Sequence, residues 1–175
     1  MIAINIIFLA VVAFILFWQV SLIVAIAGGA PSVSSKKATV EKTFEAVNLK
    51  AGEVVLDLGC GNGKVLILSA KKYGAKGLGI EISPFYYLLA KINVLFSGEA
   101  KNIKIYFGNF FTKKEQIKNA DVVFLFLFDK VTNKIEPFVF ENKKNGARIV
   151  SVSFPFKNHS GKKIVFDPAI YLYAE

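Results

Sequence analysis

The amino-acid sequence predicts a doubly wound, mostly parallel α/β sheet of seven strands behind an N-terminal transmembrane helix. Three observations predict it. No charged residue occurs before Lys36, and residues 1–27 are apolar except for Asn5, Gln19 and Ser21. From residue 52 onward, short strand-like runs that are apolar on both faces alternate with helix-patterned segments, as a sheet covered on each side by helices requires. Three glycines then cluster where the first of those runs ends. The 175 residues make one domain rather than two. A hydrophobic fraction of 54% with 17 Phe excludes a disordered or collagen-like chain. The one cysteine, Cys60, excludes an intrachain disulfide and a multi-cysteine metal cluster, and suits a reducing compartment.

Residues 1–27, as a helix rising ~1.5 Å per residue, reach about 40 Å and span a ~30 Å hydrocarbon layer. A secretory signal would have a basic leader and a shorter apolar stretch; Ala25, Ile26 and Ala27 leave only a weak cleavage pattern. Trp18 fits an interfacial anchor. Gly28, Gly29, Ala30 and Pro31 stop the helix, residues 28–35 form a linker, and the folded domain occupies 36–175. Lys36, Lys37, Lys42 and Lys50 place that domain on the cytoplasmic or matrix-like side of a single-pass protein by the positive-inside rule.

Within the domain, 36–49 spaces Val40, Phe44 and Val47 as an amphipathic helix, with Ser34 and Ser35 as candidate caps. Strands follow at 52–59, 75–83, 102–108, 121–128 and 147–154, and the tail forms two more, turned at Asp167 and Pro168. Helices fill 64–74, 84–98, 112–120 and 131–143; Gly74 ends the first, and Ser83 with Pro84 opens the second.

Ligands of such sheets bind beyond the carboxyl ends of the strands, at the topological switch point. There the stretch DLGCGNG (57–63) combines a carboxylate with Gly59, Gly61 and Gly63, so that backbone N–H groups can approach a ligand where a Cβ would intrude. A dinucleotide fingerprint, G-x-G-x-x-G, would need glycine where Lys64 stands. Asp57 adds nothing to a pyrophosphate site but can hold a cationic amino-acid group through charge-assisted hydrogen bonds. Glu81, closing the second strand, is placed to accept hydrogen bonds from both hydroxyls of a ribose. Asn109 after the third strand offers an amide to an adenine amino group, with Phe110 beside it for stacking.

These residues resemble class I S-adenosylmethionine-dependent methyltransferases: VVLDLGCGNGK matches their first motif and GIEIS their second, in the right order and at the right distance. By that resemblance Asp57, Gly59, Gly61 and Gly63 surround the methionine moiety of S-adenosylmethionine, Glu81 the ribose and Asn109 the adenine. The N-terminal span, the segment before the glycine loop, and SVSFPF after the fifth strand together resemble the membrane-anchored protein lysine methyltransferases, whose mitochondrial members modify the ATP synthase c subunit and the adenine nucleotide translocase. The resemblance implies a protein substrate, itself membrane-embedded, and puts Phe154, Pro155 and Phe156 at the substrate rim.

The implied reaction is in-line displacement at a sulfonium methyl by an uncharged amine. The sequence offers no clear general base. Asp129, after the fourth strand, is either a catalytic residue that orients the amine or accepts its proton, or a helix cap beside Lys130. His159, the one histidine, falls in a polar loop and reads as solvated, and no metal site is expected. Three rivals stand beside this reading. A net charge of +9 suits an RNA methyltransferase, although 21 of the 22 basic residues are lysines, which make few bidentate phosphate contacts. A non-catalytic, S-adenosylmethionine-binding membrane adaptor that retains the fold is the second. A dinucleotide oxidoreductase is the third, disfavoured by Lys64.

Overall fold

A computed structural model describes residues 2–27 and 35–174. The elements run α1 (Ile2–Ala27), α2 (Lys37–Ala46), β1 (Val54–Leu58), α3 (Lys64–Tyr73), β2 (Lys76–Glu81), α4 (Pro84–Ser97), β3 (Ile103–Phe107), a 3-10 turn (Phe110–Thr112), α5 (Lys114–Lys118), β4 (Val122–Leu125), α6 (Asp129–Asn142), β5 (Arg148–Val152), β6 (Lys162–Phe166) and β7 (Ala169–Tyr173). The seven strands form one sheet in the order β3-β2-β1-β4-β5-β7-β6. The first five are parallel, and β7 inserts antiparallel between β5 and β6. Chain order reverses between β1 and β4, so the crevice expected of a doubly wound sheet opens at the carboxyl ends of these two strands.

Strand alternation sorts the core into two layers. Val55 of β1, Val122 and Phe124 of β4 and Val150 of β5 face a layer closed by Phe44 of α2, Leu66 of α3 and Val94 of α4. Leu56, Leu58, Val123, Leu125 and Ile149 face the other, closed by Ile117 of α5 and by Ile135 and Val139 of α6. At the amino ends of the strands the acids are paired. Arg148 holds Glu53 (2.6 Å) and donates to the Val47 carbonyl (2.5 Å), while Asp121 accepts from the Val54 N–H (2.8 Å) and pairs with Lys144. Burial acts to raise the pKa of Glu53 and of Asp121, but these cationic and backbone donors hold both below the usual carboxylate value.

α1 is long and apolar enough to cross a membrane, and almost none of it is buried. Its second half seats on the first turn of α4. Ser21 and Ala25 are buried there, the Phe85 N–H donates to Ser21 Oγ (3.2 Å), and the Trp18 and Phe85 rings stack with centroids 6.0 Å apart. The expected stop at 28–31 and the candidate cap Ser34 lie outside the described residues. α2 starts instead from Lys36, with no side-chain cap. Ser83 does occupy the N-cap of α4, but its hydroxyl is buried without a hydrogen-bond partner. The expected strand 121–128 ends at Leu125, because Phe126, Leu127 and Phe128 leave the ladder to form the loop into α6. The expected helix 112–120 is a 3-10 turn followed by the single turn of α5.

Candidate active site

The loop after β1 is built by glycine conformation. Gly59, Gly61 and Gly63 all have φ in the left-handed region (82°, 53° and 79°), which costs other residues about 1 kcal/mol or more. Space is also tight at Gly59: a Cβ there would sit 3.2 Å from the tip of the Leu127 side chain, which would have to shift slightly. The loop is pinned on both sides. Gly59 and Cys60 N–H donate to the Ile80 carbonyl, and Asn93 of α4 donates to the Asn62 carbonyl (2.9 Å). Cys60 is buried against Gly79, and burial pushes its thiol pKa well up, so it packs rather than reacts.

Two carboxylates close on this loop. Glu81, at the end of β2, accepts from Gly61 N–H through one oxygen and from Ser83 N–H through the other (2.8 Å each). These bonds aim it at the glycine turn and leave lone pairs on both oxygens. Asp57 is almost fully buried, and no hydrogen bond or ion pair from a described residue reaches its carboxyl. Burial first, and the Glu81 charge second, push its pKa up to about 8. Burial likewise raises that of Glu81, against the lowering effect of its backbone donors. Acids at the amino edge of the sheet have cations; these two at the carboxyl edge have none. A positively charged ligand would complete such a site and restore the Asp57 charge. The residues present therefore fit an amino-acid-bearing sulfonium nucleoside: a carboxylate at Asp57 for its cation, one at Glu81 for its ribose hydroxyls, and a turn whose left-handed φ at Gly59, Gly61 and Gly63 favours glycine.

Asn109 follows β3 with its side chain exposed. Its amide oxygen accepts from Phe111 N–H (3.0 Å), capping the 3-10 turn, and its amino group remains available to a ligand. Phe110 is buried, with its ring against Phe111 (centroids 5.0 Å), so it supports the Asn109 turn from the core rather than offering an open stacking face.

Beyond β4 and β5 lies a groove of about 240 Å³ lined by Phe126, Leu127, Phe128, Ser153 and Phe154. Ser153 has φ +70°, uncommon for a residue with a Cβ. Its N–H donates to the Ala169 carbonyl (2.7 Å), and Ser151 Oγ donates to the Phe154 carbonyl (2.5 Å). This kink separates the fates of three residues expected together at the rim. Phe154 turns into the groove against Phe128 (5.9 Å) and Pro155 is exposed, but Phe156 is buried against Tyr173 (4.8 Å) and belongs to the core. Asp129 is exposed as the first residue of α6. The cap position belongs to Phe128, and no described residue fixes the Asp129 carboxyl. The groove residues Phe126 and Phe128 went unsingled in the sequence because the run DVVFLFLF reads as one unbroken strand, and Ser153 because it reads as part of the fifth; their position at a strand's carboxyl end was the available signal.

His159 also departs from expectation. It is stacked on Phe140 (3.4 Å), with Nδ1 2.8 Å from the fully buried Glu136. Glu136 further accepts from the backbone of Lys157 and Asn158, so the polar loop is fastened by one buried carboxylate. Among the described residues no cluster of ligands could hold a metal ion.

Fold and site together define a class I S-adenosylmethionine-dependent methyltransferase. The chain belongs to the ANTKMT methyltransferase domain family, whose profile matches residues 57–163. It is 29% identical over 150 residues to a protein-lysine N-methyltransferase of Saccharolobus islandicus, a match covering 82% of this chain and 92% of that one. The crystal structure of an RNA methyltransferase from Salinibacter ruber in complex with S-adenosylhomocysteine superposes with a TM-score of 0.77 at 29% identity, over 81% of this chain and 93% of that one. A methyltransferase from Thiobacillus denitrificans, also with S-adenosylhomocysteine, shares the fold at 22% identity and a TM-score of 0.56, over 67% of this chain and 48% of that one.

Proposed function

We propose that the protein methylates lysines of protein substrates at a membrane surface, anchored by α1. The observation that carries the substrate class is the likeness to the Saccharolobus islandicus lysine methyltransferase, which extends over 92% of that protein. In this reading Asp57 holds the cofactor's ammonium, the N–H groups around Gly59, Gly61 and Gly63 line its methionine portion, Glu81 binds the ribose hydroxyls, and Asn109 meets the adenine. S-adenosylmethionine supplies an activated methyl group; the chain's own task is to bring an uncharged amine in line with it. The groove between Phe128 and Phe154 suits that task. Its aromatic walls take the aliphatic stem of a lysine, and desolvation there disfavours the ammonium form, so the amine can lose its proton without a fixed general base. Asp129 is left as a favourable charge at the start of α6.

The anchor is proposed from the length and exposure of α1 and from the lysines that follow it. Its seat supports a membrane-near substrate: α4 begins just after the carboxyl end of β2, so α1 touches the domain at the edge where the site opens. An RNA substrate is the second reading, favoured by the Salinibacter ruber structure and the net charge of +9. Against it, the single arginine is committed to Glu53 and the Val47 carbonyl at the opposite edge of the sheet. Incubating the full chain with methyl-labelled S-adenosylmethionine and cell membranes, then separating protein from RNA, tests both. Label on lysine side chains is expected. Label confined to RNA replaces this reading with the second, and label on neither polymer leaves a non-catalytic adaptor.

A further inference from the structure

α4 is amphipathic in a way the domain does not use up. Its inner face gives Ala90 and Val94 to the core, while Leu88, Ile92, Leu95 and Phe96 stand out at 48, 51, 66 and 85% exposure. Their spacing of three, four and seven or eight residues puts them on one stripe. Phe85 begins the same stripe, and α1 covers it through Trp18 and Ser21. The open stripe is therefore the continuation of a surface on which a membrane-length helix already sits. Between it and edge strand β3 runs an apolar groove of about 300 Å³, walled by Ile92, Leu95, Ile103 and Ile105.

We propose that the open face of α4 and its groove lie in the headgroup and upper acyl region of the leaflet that α1 crosses, a proposal that rests on the membrane reading of α1 given above. The lengths agree. The 25-residue apolar run measures roughly 38 Å as a helix. Against a hydrocarbon layer of ~30 Å, about its last turn and a half passes the boundary. Ser21 and Phe85 then fall at that boundary, and the stripe leads along it. Depth is limited by β3, whose outer backbone groups are unpaired at the sheet edge and cannot enter hydrocarbon, so the contact is interfacial.

The charges select lipid over a second copy of the chain. Exposed Lys91 flanks the stripe and Lys101 follows the groove's end at Ala100, both suited to anionic headgroups. A symmetric pairing of two such faces would set lysine against lysine. The nearby acid, Glu99, accepts from the Asn102 side chain (2.8 Å). Phe107, half exposed and packed on Tyr87 (5.3 Å), extends the apolar surface to the carboxyl edge of the sheet. Acceptor lysines within the headgroup layer then face the site directly.

The test uses the full chain in vesicles of phosphatidylcholine and phosphatidylglycerol, with and without brominated acyl chains. Trp18, the one tryptophan, reports on α1. An environment-sensitive fluorophore on Phe96→Cys reports on α4, and the same label on Lys118→Cys reports on α5, against the other face of the sheet. Buried Cys60 stays unlabelled, which the unsubstituted chain checks. Bromolipid is expected to quench Trp18 and the label at 96, and to leave the label at 118 unchanged. Quenching of Trp18 without any at 96, whether the label stays in water or is shielded by a second copy, overturns the inference while the anchor stands. Quenching of neither, or of the label at 96 alone, overturns the anchor and with it the inference that α4 lies in the leaflet α1 crosses.

Discussion

Replacing Asp57 by asparagine should separate the stability of this protein from its chemistry. The carboxyl is raised from an ordinary 3.8 to about 8 by burial and by Glu81, so in the folded state it keeps its proton over a pH range where the unfolded chain has lost it. Stabilisation from this group is complete below about pH 4 and is lost as pH rises toward 8. At ~1.4 kcal/mol per pH unit, the loss between pH 4 and 7 is on the order of 4 kcal/mol, or roughly 10 °C in Tm for a chain of this size. Asparagine has the same shape and does not titrate. Its amide carries a constant burial cost of about 1–3 kcal/mol, but the pH-dependent loss disappears.

Thermal unfolding of the full chain in detergent, followed at pH 4, 5, 6, 7 and 8, is the assay. The variant should gain on the native chain steadily as pH rises and level off near 8. S-adenosylmethionine at about a hundred times its Kd should stabilise the native chain by ~2.7 kcal/mol and the variant hardly at all. For the native chain, affinity should strengthen as pH rises toward 8, because the cation must displace the Asp57 proton. A difference between the two chains that is the same at every pH would refute the unpaired-carboxylate argument; cofactor stabilisation surviving in the variant would refute the proposed role.

Four further substitutions probe the scaffold and the groove. Gly79→Ala puts a Cβ 2.7 Å from Cys60 Sγ and 2.8 Å from Ile105; it should cost about 1–3 kcal/mol by overpacking and weaken cofactor binding through the displaced loop, measured by thermal shift and calorimetry. Phe156→Ala should lose about 3–5 kcal/mol of stability, whereas Phe154→Ala should leave the Tm nearly unchanged and lower kcat/KM, so equal unfolding losses would contradict the different placements. Burial acts to raise the Glu136 pKa, but His159 and the backbone donors of the 157–159 loop hold it below normal. The stability this provides is present above the ordinary carboxylate pKa and lost as pH falls through the lowered one. Glu136→Gln should therefore cost about 1–3 kcal/mol at neutral pH, with the gap from the native chain closing in acid denaturation curves.

The parts of this molecule legible from sequence are those that depend on neighbours along the chain. β1, the glycine turn and α3 follow from an apolar run, three glycines and a helical pattern read in succession, and the structure places them within a residue or two of expectation. β7 lying between β5 and β6 could not be read, because the hairpin signal at residues 167 and 168 does not say which arm meets β5. Phe154 and Phe156 have the same chemistry and opposite fates, decided by a left-handed residue between strand and loop that a serine does not advertise. His159 looked solvated because its neighbours in sequence are polar; its partners Phe140 and Glu136 come from α6, about twenty residues earlier. The carboxylates make the point most strongly. Glu53, Asp57, Glu81 and Asp121 are four acids at strand ends, and only tertiary structure shows that the first and last have cations while the middle two have none. A buried acid left without a partner is unfavourable for the fold alone, and a cation bound from outside, as proposed for Asp57, would relieve that cost.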